Sequence, residues 1–175
     1  MKLACKENPG IRVLRQEPFE TLISFIISQN NNIKRITGII DRLCENFGEK
    51  TDKGYMFPTL EKLVGVTAED LAPLRAGFRA RYIVDAVEKL SSGEVSLDGI
   101  KAMDTAAARE ELKRIKGVGD KVADCVLLFG YHKTDAFPRD VWIKRIEQKL
   151  YPDGLPECIK AVSYTHLRAH ETLSD

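Results

Sequence analysis

Residues 112–140 read LKRIKGVGDKVADCVLLFGYHKTDAFPRD, and the fold of the chain turns on this stretch. An amphipathic helix runs up to Ile115, which closes it. Gly117, Val118 and Gly119 follow as a tight turn that glycine makes at low steric cost. Asp120 suits the N-cap of a second helix, in which Val122, Val126 and Phe129 recur at i, i+4 and i+7. Gly130 is the expected stop of that helix. Two helices joined by so short a turn leave backbone N–H groups pointing outward. Such groups bind phosphate oxygens and position nucleic acid without reading its sequence.

Lys121 falls in the first turn of the second helix, where the positive end of the helix dipole disfavours a cation. An amine relieved of its proton is a nucleophile. Further on, Pro138-Arg139-Asp140 precedes a third apolar-patterned helix from Val141, and Asp140 suits its N-cap. A hairpin, a lysine just behind it and a later aspartate form a more specific constellation than any one of the three.

Residues 116–125 (KGVGDKVADC), with residues 137–141 (FPRDV), resemble the helix-hairpin-helix DNA glycosylase superfamily and its G-V-G-x-K…Pro-x-Asp signature. The lysine resembles that of the bifunctional branch, which removes a base and then nicks the strand. Residues 28–36 (SQNNNIKRI), 77–82 (GFRARY) and 10–18 (GIRVLRQEP) are similar to segments of the 8-oxoguanine glycosylase branch. The likeness covers residues 10–151.

The resemblance implies an all-α helical bundle and a repair function on oxidised purines in double-stranded DNA. It makes Lys121 the nucleophile at the sugar C1′ and Asp140 the carboxylate that stabilises developing positive charge there. It makes Asn30, Arg35 and Arg79 contacts to the cytosine orphaned when the lesion is flipped out. Phe78, where relatives often carry Tyr, would be the wedge that fills the gap. Gly117, Val118 and Gly119 would bind phosphate. Trp142 would stand near another phosphate, an alternative to a place in the core. Cys125, one helical turn from Lys121, would line the lesion pocket, whereas Asp124 reads as surface charge. The backbone carbonyls of Lys113, Ile115 and Val118 would hold a structural cation; no side-chain metal set is expected. The chemistry requires no cofactor, and the enzyme is expected to act as a monomer. Two rivals are a non-catalytic helix-hairpin-helix module and a glycosylase/lyase for other oxidised bases. Lys121 with Asp140 weighs against the first, and residues 30–32 and 78–79 weigh against the second.

Composition agrees with a globular protein: 175 residues, 43% hydrophobic and 30% charged. The net charge of +1 does not announce nucleic acid, but residues 112–149 hold nine Lys/Arg against five Asp/Glu. Cys5, Cys44, Cys125 and Cys158 are scattered, which argues against disulfides or a zinc site and suits a reducing compartment. The cytoplasm of a bacterium, or a nucleus, is the expected location. No apolar run reaches membrane-spanning length.

Outward from the hairpin, helices are expected from Pro18 through Gln29, and from Asn32, its cap, to Gly48. Ile33, Ile36, Ile40 and Leu43 would be the buried stripe of the latter. Residues 49–57 read as loop, 58–63 as a short helix and 67–77 as another that Gly77 ends. Arg79 to Leu90, 97–103, a helix capped by Asp104 or Thr105, and Val141 to Leu150 complete the set. The expected domain covers residues 1–161. Residues 162–175 lack helical period and resemble non-native read-through, so the His166/His170 pair carries no metal expectation. The resemblance would add an α/β domain before this region and helices after it.

Overall fold

The computed structural model describes residues 13–152. The expectations for residues 162–175 lie outside them. Helix α1 (Pro18–Ser28) is the central element. Pro18 supplies a preset φ at the first turn, and the Glu17 carboxylate accepts from the Glu20 N–H at 2.6 Å. Phe19, Leu22, Ile23, Ile26 and Ile27 are all buried, so α1 is covered on most of its circumference.

The Asn triplet that follows divides three tasks. Asn30 adopts φ +46°, Asn31 Nδ2 donates to the Ile27 carbonyl, and Asn32 caps α2 (Ile33–Phe47) by accepting from the Arg35 N–H at 3.0 Å. Ile39 and Leu43 are the buried positions of α2, with Ile36 and Ile40 packed at the core margin. Ile33 is 82% exposed, a correction to the expected stripe: it lies in the first turn, beyond the packed face. Gly48 ends α2 as expected.

Residues 49–57 are not merely loop, since Lys50–Thr51 (β1) and Gly54–Tyr55 (β2) pair as a minimal antiparallel hairpin. Helix α3 (Leu60–Leu63) follows. The helix expected over 67–77 is instead a capped turn, with Thr67 and Asp70 bonded to each other, and a 3-10 segment at Ala72–Leu74. Pro73 within so short a run removes a donor that an α-helix would need. Then come α4 (Arg79–Ser91), α5 (Leu97–Ala102), α6 (Thr105–Lys113, capped by Asp104), α7 (Asp120–Tyr131) and α8 (Val141–Leu150).

The all-α bundle is as expected, and α1 packs chiefly on α7, α2 and α4. Three boundaries differ. Helix α6 stops at Lys113, and Ile115 is buried just beyond it. Gly119, not Asp120, is the N-cap of α7; Asp120 is inside the first turn and pairs with Lys113 at 2.9 Å. Gly130 does not end α7, which runs to Tyr131 before His132 turns left-handed. A Cβ on Gly130 would meet Pro18 Cα at 3.2 Å, so that glycine permits close approach of α1 rather than termination. Among the described residues no helix is long and apolar enough to cross a membrane.

Candidate active site

The hairpin is built against α4. Gly117 has φ +83°, and a Cβ there would fall 2.3 Å from the Tyr82 ring. Both facts require glycine. Val118 is buried and its N–H donates to the Ile115 carbonyl at 3.0 Å, so it does not present the outward donor expected of it. Gly119 is exposed. Two residues of α4 tie the turn down: Asp85 accepts from the Lys116 N–H at 2.7 Å, and the Lys89 ammonium donates to the Arg114 carbonyl. The Lys113, Ile115 and Val118 carbonyls belong to this turn, where the Lys89 ammonium already supplies positive charge.

Lys121 is half-buried in the first turn of α7. Its ammonium lies 5.0 Å from the centre of the Phe25 ring on α1, and Phe25 stacks on Phe129 of α7. Cys125, one turn further, is buried. Burial pushes its thiol up to about 11, against the lowering effects of Lys121. The charge of Asp140 also acts on that thiol, so Lys121, Cys125 and Asp140 share one locality. Asp140 Oδ1 accepts from the Trp142 and Ile143 N–H groups at 2.9 and 2.8 Å, which caps α8 and commits one carboxylate oxygen. Lys121 in the first turn of α7 and Asp140 at the cap of α8 thus stand at the starts of two helices, with Cys125 one turn into the first.

Asp124 corrects the surface-charge reading. It is buried, and it accepts from Arg109 Nε at 2.7 Å. Burial lifts its carboxyl above the usual carboxylate range, outweighing the lowering effect of the arginine. Helix α7 is covered on this face by α6, a contact that residue spacing within α7 does not reveal.

The remaining predicted residues form a second group. Asn30 and Arg35 are exposed, and Phe78 is 50% exposed, with its ring edge-on to Tyr82 at 5.6 Å. Arg79 does not stand out beside them. It is 2% exposed, and its guanidinium donates to the Gln29, Asn30 and Ala76 carbonyls. Burial first, and then the charge of Arg35, push its pKa below the usual arginine value. As found, Arg79 braces the Gln29-Asn30 backbone from behind. Through Tyr82, Phe78 is continuous with the hairpin. Trp142 is 66% exposed with Arg145 over its ring, so it is not in the core. Sequence reading passed over Phe25, Tyr82 and Asp85; only Tyr82 carried a signal, inside residues 77–82.

A helical bundle with a glycine hairpin, a lysine behind it and an aspartate-capped helix defines a class of DNA repair protein. Residues 23–154 match the HhH-GPD superfamily of base excision DNA repair proteins, and the chain belongs to that family. Within it, the chain is 44% identical over 167 residues to the N-glycosylase/DNA lyase of Saccharomyces cerevisiae, covering 86% of this chain and 44% of the yeast protein. The apo crystal structure of Clostridium acetobutylicum 8-oxoguanine glycosylase/lyase superposes with a TM-score of 0.81 at 44% identity, covering 89% of this chain and 55% of that one. The same enzyme with double-stranded DNA containing cytosine opposite 8-oxoguanine gives 0.80 at 39%, covering 97% and 66%. The chain spans about half the length of the curated relatives it matches.

Proposed function

We propose that this chain carries the catalytic centre of a bifunctional N-glycosylase/DNA lyase that removes oxidised purines such as 8-oxoguanine from duplex DNA. The observation that carries the reading is the Lys121 amine, 5.0 Å from the Phe25 ring in the first turn of α7, one helical turn from buried Cys125 and near the Asp140 cap of the next helix. Identity to the yeast and Clostridium glycosylase/lyases supports the substrate class. In this reading the Lys121 amine attacks the sugar C1′. The N–C1′ bond forms as the glycosidic bond breaks, and the base leaves with a proton. The C1′–O4′ bond then breaks, O4′ taking up a proton, and leaves the ring-opened iminium; this loses a C2′ proton, and the 3′ phosphate departs by β-elimination. Asp140 stabilises the positive charge on the sugar with the oxygen that the α8 cap does not use.

Extruding a base costs a few kcal/mol, which Phe78 offsets by filling the gap. Asn30 and Arg35 face the orphaned cytosine, while Arg79 holds the loop that carries Asn30. Gly117 and Gly119 contact phosphate, and Trp142 lies near the same strand. The protein works as a monomer wherever the genome is, in a bacterial cytoplasm or in a nucleus.

Borohydride reduces a Schiff base to a permanent protein–DNA crosslink. Incubating the chain with an abasic or 8-oxoguanine duplex and borohydride should give that crosslink, and Lys121→Gln should abolish it with DNA binding retained. A crosslink that survives in Lys121→Gln would mean another amine is the nucleophile and this assignment is wrong.

A further inference from the structure

A shallow groove beside Asn30 is lined by Asn32, Lys34, Arg35, Gly38, Arg42 and Arg75. Four of the six are cations and none is an acid. Among the described residues, the side-chain ion pairs involve none of these four. Two of the guanidiniums are fixed without being neutralised. Arg42 donates twice to the Leu74 carbonyl, at 3.0 and 2.7 Å, and Arg35 Nη2 lies 3.5 Å from the Arg75 carbonyl. A carbonyl is a dipole, so the positive charge remains.

Gly38 keeps the α2 face open; a Cβ there would lie 3.3 Å from Arg42 Nη1. Arg75 adopts φ +55°, a conformation that a glycine would hold more easily. It is the left-handed C-cap of the 3-10 segment Ala72–Leu74. Here it places a fourth cation on the rim of the groove.

We propose that this groove binds a backbone phosphate of the strand opposite the lesion. The inference rests on the reading of Asn30 and Arg35 as facing the orphaned base. A phosphate within arginine reach of that base belongs to the base's own strand, whereas the hairpin lies beside Lys121, which attacks the other strand. The molecule thus grips each strand at its own site.

The test uses the full 175-residue chain carrying Lys121→Gln, so that DNA stays uncut. Binding to an 8-oxoguanine·C duplex is titrated at several KCl concentrations. Adding Lys34→Gln with Arg75→Gly should weaken binding several-fold and reduce the slope of log Kd against log salt by about one, the value for one lost phosphate contact. The paired control Lys62→Gln with Lys101→Gln removes equal charge elsewhere and should leave the slope unchanged. Neutral methylphosphonates near the orphaned cytosine should reproduce the loss and add nothing in the groove variant; in the lesion strand they should add fully. An unchanged slope, or full additivity in the complementary strand, overturns the proposal while leaving the proposed function intact. No duplex binding by the parent sinks both. Arg75→Gly relieves a positive φ, so weakened binding without a fall in melting temperature is not unfolding. If melting does fall, Lys34→Gln alone decides by the same slope.

Discussion

Helices α7 and α8 each carry a residue proposed for the chemistry at their start, Lys121 in the first turn of α7 and Asp140 as the cap of α8, yet they are held in opposite ways. Helix α7 is buried continuously from Val122 to Leu127, and α1 approaches Gly130 to contact distance. Lys121 therefore projects from a helix whose position the whole core determines. Helix α8 has no buried residue among Val141–Leu150. It is held at its start by the Asp140 cap and along its side by Arg139 Nε on Glu147 at 3.0 and 3.2 Å. Of the two residues proposed for the chemistry, Lys121 is fixed by packing and Asp140 by a few polar contacts in partly exposed positions. Packing is cooperative and resists displacement. Partly exposed ion pairs contribute little, about 0–1 kcal/mol each. In the proposed reading Lys121, the nucleophile, is the rigid partner, and Asp140, the carboxylate, is the adjustable one.

The largest effect expected from this comparison is on α7. Leu127 is fully buried. Truncation of such a leucine leaves a cavity and costs about 2–5 kcal/mol. Leu127→Ala should therefore shift the urea unfolding midpoint strongly and lower the yield of borohydride trapping with it, since Lys121 loses its platform. A change under about 1 kcal/mol would mean that the core does not set the position of α7, and the contrast with α8 would collapse.

A smaller effect belongs to the α8 cap. Asp140→Ala removes the acceptor for two backbone N–H groups, and losing a cap costs about 0.5–2 kcal/mol. Because α8 is not packed into the core, the loss should stay local. Amide exchange should quicken from Val141 onward while the amides of α7 keep their protection. Asp140→Asn retains a capping oxygen and should leave exchange in α8 near normal while slowing base release. Equal loss of protection in α7 and α8 upon Asp140→Ala would show that the two helices open as one unit.

Sequence legibility followed the same division. Much that is local to the chain was readable: the hairpin glycines, the Asn32, Asp104 and Asp140 caps, Pro18 at the start of α1, and the spacing that puts Cys125 a turn from Lys121. Contacts between distant segments were not. Nothing in residues 120–131 announces that Asp124 meets Arg109, because a charged residue's burial depends on which helix covers it. Arg79 illustrates this most clearly. Its place in residues 77–82 marks it as important, and the resemblance makes it a contact to the orphaned cytosine with Asn30 and Arg35. The structure instead turns it inward to three carbonyls, two of them some fifty positions earlier. Ile33 fails in the other direction. Its spacing fits the α2 stripe, but a first-turn position beyond the packed face leaves it in solvent. Hydrophobic period gives the face of a helix, not how far along its length a neighbour extends.

The smallest expected effect is the sharpest probe of α8. Ile146 lies mid-helix and is 53% exposed. Two contributions oppose each other in Ile146→Ala. Some apolar surface leaves partial burial, a loss of roughly 25 cal/mol per Å². Alanine, however, is the better helix former, since isoleucine gives up side-chain freedom against the preceding turn. At an exposed position these nearly cancel, and the net change should stay within about 0.5 kcal/mol, the usual range for surface substitutions. Urea unfolding should show Ile146→Ala almost superimposed on the parent, and borohydride trapping should be unchanged. The same truncation of an aliphatic side chain should thus differ several-fold in cost between Leu127 and Ile146. If Ile146→Ala instead cost 2 kcal/mol or more, the apolar face formed with Val141, Trp142 and Leu150 would be covered in solution. The carboxylate would then be positioned by packing as firmly as the lysine, and the distinction between a rigid nucleophile and an adjustable partner would have to be given up.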